Sequence, residues 1–323
     1  MSKLILLTGA TGFLGPHVLN LLIKSGYRVC VVGPEPVEES ELISWKRVNF
    51  LDDVDYDSLL NGVSIVVHLA AELYIERDME RINVEASKRL AVAAERNGVE
   101  LFIYTSSVGV YGFPVEQIVS ENTAVLSLNP SVKNIFLAEN FLYKYSLSKL
   151  KGEEVIRNAL KHTRAIFYRP SNIVDEEKIK EFLKWGLLKR IWRGARKTHH
   201  IYVKDVAEAI LFAVDGIPGI KNLESNQVAI FNLSNDTDST KIYANLHNLY
   251  AQITGDFSKS CPLKAPLFLD FVKDAIKFRT ISGALPAGSV YYSPEKLINS
   301  GYRYRYGIEE IYKKVFNEMK SDL

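Results

Sequence analysis

The chain opens on a feature that leaves few folds available. Leu4, Ile5, Leu6 and Leu7 form a short apolar run suited to a strand covered on both faces. It leads straight into Thr8-Gly9-Ala10-Thr11-Gly12-Phe13-Leu14-Gly15. An apolar-periodic segment follows (Val18, Leu19, Leu21, Leu22) and closes at Gly26. Strand, glycine turn and helix in that order predict the first unit of a parallel α/β sheet. Glycines at 9, 12 and 15 allow a tight turn, close approach of an anion to the backbone, and close packing of helix on strand. The helix start presents unpaired N–H groups, and Pro16 fits there because the first turn has no use for its missing donor. Together these residues predict a seat for a dinucleotide pyrophosphate. A glycine triplet alone is weak support, and its place between strand and helix carries the reading.

The alternation continues. Val29 to Val32 reads as a second strand, Trp45 to Leu51 as a third and Ile65 to Ala71 as a fourth. A helix from about Val84 to Arg96 closes at Asn97-Gly98. Leu101 to Ser106 is a fifth strand, Phe141 to Leu160 a long helix, and Ala165 to Tyr168 a sixth strand. This rhythm predicts an α/β chain: a doubly wound parallel-sheet Rossmann fold, with ligand beyond the strand carboxyl ends. With 323 residues, one large or two unequal domains are expected. We assign 1–170 to the nucleotide-binding core, with 198–234 returning to it. Residues 171–197 and 235–323 then form a smaller C-terminal substrate-binding lobe, richer in aromatic and basic residues.

Composition narrows the setting. A 24% charged chain with net charge +2 gives no reason to expect a nucleic acid or anionic membrane partner. Cys30 and Cys261 are the two cysteines, so no disulfide framework is implied and a reducing cytoplasm is the expected location. The first apolar run is too short for a signal peptide. No stretch approaches the ~18 apolar residues of a membrane span, so no stable membrane insertion is expected.

The second informative feature is Tyr145-Ser-Leu-Ser-Lys149. Spacing of four on a helix places both side chains on one face. A free phenol titrates near 10 and is a poor base at neutral pH. A nearby ammonium favours the phenolate, and lowering that pKa to near 7 requires roughly 4 kcal/mol. The plain alternative is a surface tyrosine and a surface lysine on an amphipathic helix. Tyr143 competes for the role but has no lysine four residues on. His68 sits inside a predicted strand and reads as a core histidine. His199-His200 has no partners at metal-ligand spacing and reads as loop.

Taken in order, these segments resemble the extended short-chain dehydrogenase/reductase family, which includes NAD(P)-dependent epimerases, dehydratases and hydroxysteroid-type dehydrogenases. The resemblance runs through Thr8 to Gly15, Val-Val-His-Leu-Ala-Ala at 66–71, Asn83-Val84, and Tyr-Thr-Ser-Ser-Val-Gly-Val-Tyr-Gly at 104–112. It continues through Tyr145 to Lys149 with Gly152-Glu153, Arg169-Pro170, and Ile-Tyr-Val-Lys-Asp-Val at 201–206. It implies a triad: Tyr145 as general acid/base, Ser107 bonding the reacting oxygen, and Lys149 orienting the nicotinamide ribose. Ser106 is a rival one residue out of register. Gly9, Gly12, Phe13, Leu14 and Gly15 would line the pyrophosphate, and Leu69, Ala70 and Ala71 would pass close to the cofactor. Tyr168, Pro170 and Ser171 would approach the nicotinamide amide. Asn83 would brace the central strands. After the second strand, Gly33-Pro34-Glu35 stands where NAD-preferring relatives place an Asp; Glu35 tilts the choice between NAD and NADP towards NAD. Asp52 is the candidate for adenine contact. The resemblance also implies a homodimer through the 84–96 and 141–160 helices.

The substrate is a small molecule, narrowed by absences. Sugar-nucleotide 4,6-dehydratases of the family carry an acidic pair after the serine position, where Val108-Gly109 stands here. The cysteine of the 3,5-epimerising relatives is also missing. Hydride transfer at a secondary alcohol or ketone is left, either reversible or within a 4-epimerase cycle, with a nucleotide sugar as the leading substrate. Against that substrate, Thr198 occupies the place of a diphosphate-binding arginine, with Arg193, Arg196 and Lys197 as nearby substitutes. The apolar segment 262–278 resembles that of hydroxysteroid- and dihydroflavonol-type relatives, and so keeps an apolar alcohol or ketone open. It also reads as a core helix. The basic stretch 184–197 reads as a solvated helix covering the site. The long 115–141 connection predicts that 126–142 shapes the substrate mouth. A cofactor-sensing protein without catalysis is a third reading, disfavoured because Tyr145 and Lys149 are both present.

Overall fold

The computed structural model describes residues 3–128, 141–217, 228–236, 241–270, 272, 285 and 287–321. Among the described residues, eleven strands follow one another: β1 (Leu4–Thr8), β2 (Arg28–Gly33), β3 (Ile43–Arg47), β4 (Ile65–His68), β5 (Leu101–Thr105), β6 (Ile118–Val119), β7 (Arg164–Pro170), β8 (Asn172–Val174), β9 (His200–Tyr202), β10 (Val228–Leu233) and β11 (Tyr291–Tyr292). Seven of them build one sheet in the order β10-β7-β5-β4-β1-β2-β3, every pair parallel. The pairs β8–β9 and β6–β11 form two small sheets. The seven helices that matter here are α1 (Gly15–Lys24), α2 (Ser87–Arg96), α3 (Phe141–Ala159), α4 (Glu176–Leu183), α5 (Val203–Asp215), α6 (Tyr243–Thr254) and α7 (Ile308–Ser321).

The uninterrupted apolar run of β1 has a direct cause. Ile5 and Leu7 face one side, where they join Val18 and Leu22 of α1 and Ile210 of α5. Leu6 faces the other, with Val66, Phe102 and Leu90 and Ala94 of α2. A strand covered twice has no position for a polar residue, and each fully buried aliphatic side chain contributes about 2 kcal/mol. The sheet is therefore the doubly wound Rossmann type that the alternation predicts.

The strand order reverses between β1 and β4, which opens a crevice at their carboxyl ends. Thr8 stitches the two edges: its Oγ1 accepts from Leu69 N at 3.2 Å and Ala70 N at 3.0 Å, and bonds His68 Nδ1 at 2.7 Å. The other ring nitrogen of His68 meets Ser87 Oγ at 2.9 Å. Burial, then the charge of Lys149, pushes the imidazole down to about 3, so His68 is a neutral core residue.

Boundaries differ from the sequence reading in several places; the fourth strand ends at His68 rather than Ala71, and the sixth runs from Arg164 to Pro170. The third strand runs from Ile43 to Arg47, because an Asx turn bends the chain after it: Asn49 Oδ1 accepts from Leu51 N at 3.1 Å and Asn49 O from Asp52 N at 3.0 Å. The helix expected from residue 84 begins earlier, as an α-helical turn over Glu76–Met79 and a π-helical turn over Glu80–Ala86 that continues into α2. Among the described residues, no helix is long and apolar enough to cross a membrane. Residues 129–140 of the expected mouth segment, and 271 and 273–278 of the apolar segment, lie outside the described residues.

Candidate active site

A cleft of about 750 Å³ opens beyond the carboxyl ends of the central strands. Its floor is the glycine turn. Gly9 has φ +72°, and a Cβ there would stand 2.7 Å from Ala70 N. A Cβ on Gly15 would run into the carbonyl oxygen of Gly9 and lie 2.5 Å from Ala10 Cα. Both glycines are therefore required by the turn itself. Gly12 is different: a Cβ there would meet Gly9 O at 3.4 Å, an ordinary contact. Helix α1 starts with no side-chain cap and no acidic residue in its first turn, which leaves its N–H groups to an anion.

Gly9, Gly12, Phe13, Leu14, Gly15, Glu35, Leu69, Ala70 and Ala71 all line this cleft. So do Ser107, Tyr145, Lys149, Pro170 and Ser171. Two residues of the sequence reading do not. Asp52 is exposed outside it, because the Asn49 turn brings Asn49 and Phe50 to the wall instead. Tyr168 lies within β7 rather than beyond its end. Its ring is fully buried, and its hydroxyl donates to Ala209 O of α5 at 2.7 Å. Three cleft hydroxyls, Thr105 Oγ1, Ser106 Oγ and Ser171 Oγ, are buried with no hydrogen-bond partner among the described residues. Such atoms demand a polar ligand. With the glycine cradle, they make the cleft fit a dinucleotide.

Helix α3, which carries Tyr145 and Lys149, is fastened at three buried points. Asn83 Nδ2 donates to Ser148 Oγ at 2.9 Å and to Glu72 O at 2.9 Å, and its Oδ1 accepts from Glu72 N at 2.7 Å. Asn83 thus ties the loop after β4 to α3, not strand to strand. Gly152 lets α3 lie against β5, since a Cβ there would strike the Tyr104 hydroxyl and approach Asn83 O to 2.8 Å. Glu153 accepts from Arg169 Nε at 2.9 Å and Nη2 at 2.6 Å, both side chains at most 3% exposed. The Arg169 guanidinium also stacks 4.9 Å from the Tyr111 ring centroid.

This frame positions Ser107, Tyr145 and Lys149 along the cleft. Ser107 Oγ accepts from Gly109 N at 3.1 Å and so caps the short 3-10 turn Val108–Tyr111. A Cβ at Gly109 would meet the Ser146 hydroxyl and come within 3.3 Å of Ser107 Oγ, so a side chain there would displace both serines. Tyr143 packs with the cluster around Val110, Leu150 and Val290 and does not line the cleft. Burial, then the Tyr74 phenol, pushes the Tyr145 hydroxyl up to about 12. Lys149 is 1% exposed, with Nζ 4.1 Å from the Tyr104 ring centroid, and burial lowers it to about 7 despite Glu153. Desolvation dominates at both groups, and at Lys149 it outweighs the attraction of Glu153. The sequence reading has the ammonium making the phenol acidic; here the phenol holds its proton.

That burden on Lys149 has a measurable consequence. Its pKa is 10.5 in a free chain and about 7 in the fold. Between those values the unfolded chain holds the extra proton, so stability rises with pH across the window and is lowest below it. Lys149→Met should raise the cofactor-free melting temperature at pH 6 by a few degrees and flatten its rise towards pH 10. Calorimetric scans across that range check both. A lower melting temperature in the variant would show that the ammonium stabilises the fold.

Four residues of the cleft carried no usable sequence signal. Asn172 follows β7, and Lys178 belongs to α4. Tyr292 arrives through the β6–β11 pairing, opposite Val119, 173 positions earlier. His199 is the fourth, and among the described residues it alone of the non-glycines has positive φ (51°). Its Nδ1 bonds the buried Asp236 carboxylate, and its ring meets Tyr292 edge-on at 5.0 Å. The loop reading fails for His200, which starts β9 and is buried against Phe182 and Tyr312. Arg193, Arg196 and Lys197 do not line the cleft. Arg196 is buried in an ion pair with Asp270 at 2.7 Å. The described residues hold no cluster of metal-ligating side chains.

Comparison with known proteins agrees with this geometry. A provisionally named UDP-glucose 4-epimerase of Methanocaldococcus jannaschii is 28% identical over 246 residues, 68% of this chain and 76% of that protein. The dTDP-D-glucose 4,6-dehydratase of Mus musculus is 27% identical over 70% of this chain and 69% of its own length. Among solved structures, a UDP-glucuronic acid 4-epimerase variant from Bacillus cereus, in complex with NAD and a fluorinated UDP-glucuronic acid, superposes with TM-score 0.70 at 18% identity. That match covers 99% of this chain and all of the other, and is a likeness of fold. The model of the NAD dependent epimerase/dehydratase family matches residues 5–225, more than half the chain. The chain is an enzyme of the NAD dependent epimerase/dehydratase family.

Proposed function

We propose that this enzyme moves hydride at a secondary alcohol or ketone of a nucleotide sugar, with NAD as cofactor. The observation that carries the reading is the meeting of Ser107, Tyr145 and Lys149 in one cleft with the glycine turn. Gly9 to Gly15 would hold the pyrophosphate and Lys149 the nicotinamide ribose. When bound, the nicotinamide supplies the carbon that accepts or returns the hydrogen of a C–H bond and, oxidised, a positive charge beside the phenol.

Tyr145 then handles the proton at the substrate oxygen. With its pKa near 12 it carries a proton, the state needed to donate to a ketone oxygen. For the reverse direction it must accept one. Bringing a phenol from about 12 to near 7 requires about 7 kcal/mol, more than an exposed tyrosine would need. Lys149 in its charged form is positioned on the same helix to contribute. Ser107 would donate to the same oxygen and hold it in line. With Val108 and Gly109 beside it, no acid stands ready to expel water, which supports oxidation, reduction or epimerisation over dehydration.

Glu35 is the one carboxylate among the described residues lining the cleft. A carboxylate accepts the hydroxyls of a ribose and repels a 2′-phosphate, which supports NAD over NADP. The segments 171–197 and 235–323 supply the substrate lobe in this reading. Thr198, buried in the place of the expected arginine, favours a second reading in which the substrate is an apolar ketone. Melting curves of the full chain separate these cases. NAD and then UDP or dTDP should each raise the midpoint, and NADP should raise it less than NAD. A shift with a steroid or flavonoid ketone, and none with either nucleotide, would overturn the nucleotide-sugar assignment.

A further inference from the structure

We propose that Lys178 is a cation that closes over the pyrophosphate of the bound dinucleotide from the opposite wall of the cleft. The proposal rests on the reading that the glycine turn seats a dinucleotide. A pyrophosphate brings two negative charges. The turn meets them with backbone N–H groups and the partial charge of a helix end, equivalent to about half a unit charge. No residue from Gly9 to Gly15 carries a basic side chain. Among the described residues lining the cleft, Lys149 and Lys178 are the lysines, and no arginine joins them. Lys149 is committed to the far end, over Tyr104.

Lys178 stands at the turn itself. Its Nζ lies 4.1 Å from the centroid of the Phe13 ring, and Phe13 is a member of the turn, 40% exposed at its rim. The contact spans from α4 to the residue whose backbone would touch the phosphates. A cation over an exposed ring is weakly held, so a phosphate oxygen can take it over with a small side-chain swing. The helix beneath it is anchored: Lys178 N donates to the N-cap carboxylate of Asp175 at 2.8 Å. Its acidic neighbours are engaged elsewhere, Glu177 with Lys180 at 2.8 Å and Glu176 with the Tyr202 hydroxyl at 2.7 Å. No carboxylate pairs with the Lys178 ammonium among the described residues.

A substrate diphosphate would present the same chemistry, so the test separates the two sources. ADP-ribose, AMP and UDP are titrated calorimetrically into the full chain and into its Lys178→Met and Lys178→Arg variants. Lys178→Met should weaken ADP-ribose about tenfold and AMP by less than about twofold. Lys178→Arg should restore most of the loss. The affinity of the unaltered chain for ADP-ribose should also fall more steeply with salt than that of Lys178→Met. Equal ADP-ribose affinity in both proteins overturns the clamp, as does a matching loss for AMP. So does a loss confined to UDP, which would move the cation to the substrate. If the unaltered chain binds no ADP-ribose at all, the dinucleotide reading falls, and the clamp with it.

Discussion

Tyr145→Phe should bind NAD within about twofold of the unaltered enzyme and turn over roughly 10³- to 10⁴-fold more slowly. The ring and its packing are kept, and what goes is the phenol that we propose hands a proton to the substrate oxygen in the cleft it shares with Ser107 and Lys149. Tyr143→Phe is the matched control. Tyr143 packs beside Val110, Leu150 and Val290, away from the cleft, so its loss should leave kcat within about twofold. Single-turnover rates with a substrate identified by the melting screen, together with NAD titrations, read both. If Tyr145→Phe keeps a near-normal rate, the assigned chemistry is wrong.

Gly15→Ala should cost the fold, while Gly12→Ala should cost only the ligand. A methyl group on Gly15 meets backbone atoms of Gly9 and Ala10, and no flexible side chain can yield. The turn must open, which lowers the melting temperature by roughly 5 °C or more. NAD binding is lost with it. A methyl on Gly12 touches Gly9 O at an acceptable 3.4 Å, so the melting temperature should hold. The same methyl occupies space that a pyrophosphate would use, and NAD affinity should fall at least about tenfold. Paired melting and binding measurements check the contrast. Two variants with the same profile would show that the three glycines are not divided in this way.

The sheet and its seat were legible because both are local. Leu4 to Gly15 states strand, turn and helix within a dozen residues, and the packing of Ile5, Leu6 and Leu7 follows from strand alternation alone. The spacing of Tyr145 and Lys149 is local too. Their electrostatics were not, because burial at about the depth of Tyr104 is a tertiary fact that no spacing reveals. Asp52 was misplaced by the side-chain hydrogen bond of Asn49 to Leu51 N, which turns the chain before the aspartate is reached. Tyr168 was misplaced by strand alternation: its ring goes under the sheet while Pro170 and Ser171 emerge at the end. His199 and Tyr292 reach the cleft beside the β8–β9 and β6–β11 pairings, and Lys178 arrives on α4, directly after β8.

The three buried fastenings of α3 run to Asn83, Tyr104 and Arg169. None reaches the 171–197 stretch. On the proposed reading, the groups that do the chemistry and the lobe that meets the substrate are therefore held by different contacts. New selectivity can be bred into this scaffold by exchanging the outer wall, with the proton donor left where it stands.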